Sequence, residues 1–222
     1  MTVRWIGFQC LIWLLIALLL GELYGSVVAA LGQSPVIGSA MVSTLLALFV
    51  LGYFLTCRRY SVFLLKKKSV RWVIFATLPA IGALGLSLST FLMDGLEFNS
   101  QSLSSQWWIF LLWVPIVEEL AFRLGLSSGL RRVSSPLVAA YGSSLVFGLM
   151  HGGFRLESLL MGAIVIPLGS VLMAWFCEYI FTRTNSILLC VLFHASCNGS
   201  ALIFQAFDPR WLDWLGFLYI SN

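Results

Sequence analysis

The chain has 222 residues, 60% of them hydrophobic and 10% charged, with a mean hydropathy of +0.97 and a formal net charge of +4. Soluble domains carry roughly 25% charged residues, so this chain has too little charge to cover a globule of its size. A water-soluble enzyme, a disordered tail and a nucleic-acid binder are thereby excluded, leaving a polytopic membrane protein for which the bilayer is the solvent.

Apolar runs of about twenty residues are long enough to cross the bilayer as helices. In chain order they fall at about 5–31, 35–57, 72–93, 107–130, 136–153, 158–181 and 187–207. The predicted fold is all-α, a polytopic membrane helical bundle of about seven transmembrane helices, within a range of six to eight. The first run is over-long and holds Glu22. It also contains Val28-Ala29-Ala30, which resembles a signal-peptide cleavage site. Its apolar stretch is long for such a signal and further spans follow, so it is read as retained.

The basic residues orient the bundle. The stretch between the second and third spans holds Arg58, Arg59, Lys66, Lys67, Lys68 and Arg71, whereas the next loop, DGLEFNSQSLSSQ, holds none. Arg4, Arg131, Arg132 and Arg183 fall on the same side as that basic stretch, and Arg155 and Arg210 fall opposite. The amino terminus is therefore expected in the cytoplasm. The basic stretch needs only anionic lipid as its partner, not nucleic acid. The tail 208–222 is rich in Trp and could lie along the interface. Three segments follow: amino-terminal helices at 1–106, a core at 107–207 and that tail.

Ionisable groups inside apolar spans cost roughly 2.5–3.5 kcal/mol each at mid-helix, so each is a functional candidate. They are Glu22, Glu118, Glu119, Arg123, His151, Glu178 and His194, a set that includes both histidines of the chain. In the fourth span, Glu119 and Arg123 are four apart and share a helical face, whereas Glu118 and Arg123 are five apart and diverge. Glu119–Arg123 is expected to be a structural pair, which leaves Glu118 reactive. Pro115 removes a helix hydrogen bond just before them.

In the fifth span Phe147 and His151 are four apart, so the ring packs on the histidine's own face. In the seventh, His194 and Asn198 repeat that spacing and form a patch of donors suited to an oxyanion. Taken singly, each pair is also ordinary packing: a hydrogen-bonded core histidine, or Asn as glue between helices. Taken together they divide the labour of a peptidase without a serine or cysteine nucleophile. Glutamate and imidazole can deprotonate a water, and a second imidazole with a carboxamide can hold the oxyanion.

Glu118-Glu119-x-x-x-Arg123, Phe147-x-x-x-His151 and His194-x-x-x-Asn198, in that order on successive helices, resemble the CPBP (Abi/CAAX protease) family of intramembrane endopeptidases. The family includes the Ras-converting CAAX endopeptidase. The resemblance covers about 107–200 and extends to Pro115 and Thr184-Asn185-Ser186-Ile187. It implies a glutamate-type peptidase in which Glu118 and His151 activate water and His194 and Asn198 hold the oxyanion, with Glu119, Arg123 and Phe147 in support. It also implies a membrane-associated protein or peptide as substrate, of CAAX type or with a carboxyl-terminal sorting segment.

The family was long described as metallopeptidases. Glu118, His151 and His194 could ligate a divalent ion such as zinc, but the favoured mechanism needs no cofactor. The rival reading is a non-catalytic membrane scaffold or a self-immunity protein of the same fold. A thiol peptidase built on Cys190, His194 and Asn198 is a minor alternative.

Three expectations concern depth and packing. By rise per residue, Glu118 should sit near mid-membrane, His151 nearer the outer face and His194 nearer the inner face. Glu178 should reach water at the cytoplasmic end of its span. Gly162 and Gly169, seven apart, suit close approach of helices.

Overall fold

The computed structural model describes residues 44, 70–94, 107–152, 160–162 and 166–207. The expected spans at 5–31 and 35–57 (Thr44 apart), Glu22, Arg155 and the tail 208–222 lie outside the described residues.

Five helical segments and no strand are found among the described residues. α1 is Val70–Asp94. α2 is a continuous helical run over 109–131, built from π-helical turns at Ile109–Trp113 and Leu120–Ser127 with α-helical turns at Val114–Glu119 and Ser128–Arg131. α3 is Pro136–His151, α4 is Leu168–Thr184 and α5 is Ile187–Phe207. Two stretches, Val70–Ser89 and Ile187–Phe207, are long and apolar enough to cross a membrane, and Pro136–His151 is a shorter apolar helix.

The boundaries follow from local chemistry. Ser135 caps α3 by accepting the Val138 N–H at 3.3 Å, and Pro136 takes the first turn, where its missing N–H costs nothing. Asn185 ends α4 in the left-handed region at φ 53°, with its N–H on the Phe181 carbonyl at 2.8 Å. Ser186 then accepts the Leu189 N–H at 3.4 Å and opens α5. A connection this short makes α4 and α5 an antiparallel hairpin.

The sixth predicted span, 158–181, needs correction. Its helix begins at Leu168, after Pro167 in extended conformation. Gly162 has φ +66° and opens onto empty space, so it is a turn residue and not a site of close approach. The close approach is at Gly148 on α3, where an added Cβ would lie 2.3 Å from Val171 Cγ2 on α4.

Two apolar clusters hold the bundle. Phe122, Leu126 and Leu130 of α2 pack with Ala139, Val146 and Phe147 of α3 and Ala174 of α4. Ala76 of α1 and Leu124 of α2 pack with Cys177, Ile180 and Phe181 of α4 and Leu189, Cys190 and Phe193 of α5. Phe75 lies parallel to Phe193, with centroids 5.9 Å apart, and fastens α1 to α5. α2 contributes to both clusters, so its polar residues are enclosed by the other helices and not by lipid.

Candidate active site

Glu118 and Glu119 end the α-helical turn of α2, and Arg123 lies in the π-helical stretch that follows. π-helical turns recur at functional sites because they re-aim side chains within a helix. The i,i+4 spacing acts as predicted: Arg123 Nε donates to Glu119 Oε2 at 2.8 Å, with both side chains fully buried. Glu118 turns the other way. Its Oε2 faces the Nε2 atoms of His151 and His194, each at 3.7 Å.

The other nitrogen of each imidazole is already committed. A carbonyl can only accept, so His151 Nδ1 carries the hydrogen given to the Phe147 carbonyl at 3.0 Å. Glu119, paired with Arg123, accepts from His194 Nδ1 at 3.0 Å. Both Nε2 atoms are therefore left to face Glu118. The Phe147 ring stacks on His151 with centroids 4.2 Å apart and meets His194 edge-on at 5.7 Å. Phe122 closes against Phe147 from α2 at 4.9 Å. One buried phenyl ring thus sets the orientation of both histidines.

These contacts join residues whose helices were expected to place them at different depths. Those depths hold for upright regular helices. α2, which carries Glu118, departs from one through Pro115 and its π-helical turns.

Glu178 is the site residue that sequence reasoning missed. It was expected to reach water; instead it is fully buried, and its Oε2 accepts from Arg123 Nη1 at 2.8 Å. Its Oε1 accepts from Ser127 and Arg131. Arg131 Nη2 also donates to Thr182 Oγ1 at 2.8 Å. A continuous polar chain therefore runs from His194 through Glu119, Arg123 and Glu178 to Arg131. The available signal was the pair of arginines, Arg123 and Arg131, on one helix: together they carry more positive charge than Glu119 alone balances.

Asn198 is half-buried on α5, and its Nδ2 donates to the Phe110 carbonyl at 2.9 Å. One of its two amide hydrogens is thereby used between helices. Cys190 is fully buried, with its thiol 3.3 Å from the carbonyls of Cys177 and Ser186, away from the role a nucleophile would need. Trp107, Trp108 and Trp113 remain about half exposed, as anchors or lipid-facing groups would be, and Trp113 Nε1 donates to Thr44 Oγ1 at 2.8 Å.

Glu118, His151 and His194 are the residues a divalent ion would have to use. Among the described residues, however, no three His, Cys, Asp or Glu side chains are arranged as an ion-binding group. What the arrangement offers is one carboxylate oxygen and two imidazole nitrogens converging across gaps too long for direct hydrogen bonds, a spacing that a bridging water suits.

Residues 100–200 match the family model described as Type II CAAX prenyl endopeptidase Rce1-like. Comparison with curated proteins and with solved structures returns no match. The matched segment carries Glu118, Glu119, Arg123, Phe147, His151, Glu178, His194 and Asn198, so the part of the chain that builds this site is similar to that family of CAAX-type proteases.

Proposed function

We propose that the protein is a multi-pass intramembrane endopeptidase of glutamate type, with about seven spans and a cytoplasmic amino terminus. It cleaves a peptide bond near the carboxyl terminus of a membrane-associated protein or peptide. The observation that carries the reading is Glu118 Oε2 lying 3.7 Å from the Nε2 atoms of both His151 and His194.

A water held between Glu118 and His151 gives one hydrogen to each acceptor and turns a lone pair toward the scissile carbonyl carbon. Glu118 takes the proton as the new C–O bond forms. The carbonyl oxygen becomes an oxyanion. His194, held through Nδ1 by Glu119, meets it through its Nε2 edge. The second amide hydrogen of Asn198 is the further donor. Glu118 then delivers its proton to the departing amide nitrogen, so the C–N bond breaks to a carboxylic acid and an amine. Every group in this sequence belongs to the chain itself, and no cofactor is required.

The test is a comparison of carboxyl-terminal peptides from membranes of cells expressing the wild-type chain or Glu118→Gln. A trimmed membrane-associated protein that requires wild-type Glu118 is the expected result, with cleavage persisting in a chelator. Identical carboxyl termini in the two membranes would sink the peptidase reading, and loss of cleavage on chelation would sink the metal-free one.

A further inference from the structure

α5 carries polar side chains at Ser196 and Asn198, and each answers a backbone group beside a proline on another helix. Pro79 interrupts α1, and the neighbouring Ala80 N–H donates to Ser196 Oγ at 2.9 Å. In α2 the turn entering Val114 is π-helical, with the Val114 N–H on the Ile109 carbonyl. The next bond in that register would run from residue 115 to the Phe110 carbonyl, but Pro115 has no N–H. Asn198 Nδ2 donates to that same carbonyl at 2.9 Å. Inside a membrane, a backbone carbonyl released by proline needs a replacement donor, and a side chain on a neighbouring helix is one source.

We propose that Pro115 and Asn198 are a matched positioning couple: Pro115 withholds the backbone donor from Phe110, and Asn198 supplies it from α5. The bond locks the helix that carries Glu118 to the helix that carries His194. It also holds the Asn198 amide plane, leaving its second hydrogen for an incoming acceptor. Each member acts through the Phe110 carbonyl. A proline at 115 without the carboxamide orphans that carbonyl, and a carboxamide at 198 without the proline shares it with a backbone N–H. The consequence for catalysis rests on the peptidase reading; the exchange of donors does not.

Four full-length chains test this: wild type, Pro115→Ala, Asn198→Ala and the double variant. The first readout is the thermal unfolding midpoint in detergent micelles. Asn198→Ala is expected to lower it by about 2–12 °C, the loss from an unsatisfied buried carbonyl. Pro115→Ala restores a backbone N–H at position 115, so it should raise the midpoint more in the Asn198→Ala background than in wild type. Equal gains in both backgrounds would overturn the couple.

The second readout is kcat and KM on a farnesylated CAAX peptide. Pro115→Ala should lower kcat about tenfold or more by misplacing the reacting groups, and Asn198→Ala should lower it at least as much because it also removes an oxyanion donor. KM should stay within about twofold, and the double variant should be no slower than the slower single. An unchanged kcat in Pro115→Ala would overturn the positioning role. If wild type cleaves the peptide and Glu118→Gln cleaves it equally well, the peptidase reading through Glu118 fails, and the unfolding midpoints still decide the couple.

Discussion

Arg123 ties two helices of the bundle together through their acids. It is fully buried and bridges two carboxylates, Glu119 through Nε and Glu178 through Nη1, each at 2.8 Å. Truncation to alanine would leave both acids without that cation. Among the described residues Glu178 keeps Ser127 and Arg131, and Glu119 keeps His194 alone. The loss therefore falls mainly on one buried carboxylate. Breaking such a pair from one side costs about 3–5 kcal/mol. For a chain of this size each kcal/mol moves the midpoint by about 2–4 °C, so Arg123→Ala should lower it by about 6–20 °C.

Arg123→Lys should recover only part of the loss, because a single ammonium cannot reproduce a fork with separate nitrogens on separate acids. Thermal unfolding of the purified chain in detergent, followed by intrinsic Trp fluorescence, measures both. A shift under about 2 °C for Arg123→Ala would refute the reasoning, since it would mean that the acids already find sufficient partners without it.

Two further predictions follow from the packing around the histidines. Phe147→Ala should destabilise the chain by about 3–5 kcal/mol and abolish cleavage. Phe147→Leu, which keeps more volume but no flat face for His151, should retain most stability while still losing kcat; unfolding and peptide cleavage measured together separate the two effects. Gly148→Ala should cost about 1–3 kcal/mol by overpacking against Val171. Adding Val171→Ala should recover part of that loss, and a Gly148→Ala midpoint equal to wild type would mean that the close contact of α3 with α4 does not exist.

Much of the site was legible because its pairs are local. Residues four apart on a helix share a face, so Glu119 with Arg123, Phe147 with His151, and His194 with Asn198 could be read as neighbours before any fold was known. Scarcity of charge made the few buried ionisable groups conspicuous. Glu178 was misjudged because distance to a span's end says nothing about which face the residue occupies or what waits there. Its partner Arg123 is 55 residues away on another helix.

By itself the sequence determined an all-helical, apolar chain, the short-range pairs and the residue types for hydrolytic chemistry, because these depend only on composition and helical period. Only the tertiary structure decided that Glu118 faces both histidines, that Arg123 is shared between two acids, and that Asn198 meets the carbonyl Pro115 leaves open. Such contacts depend on where helices kink and cross. In this bundle that is set by prolines, π-helical turns and the small residue at Gly148, whose effects appear only when the helices are packed against one another.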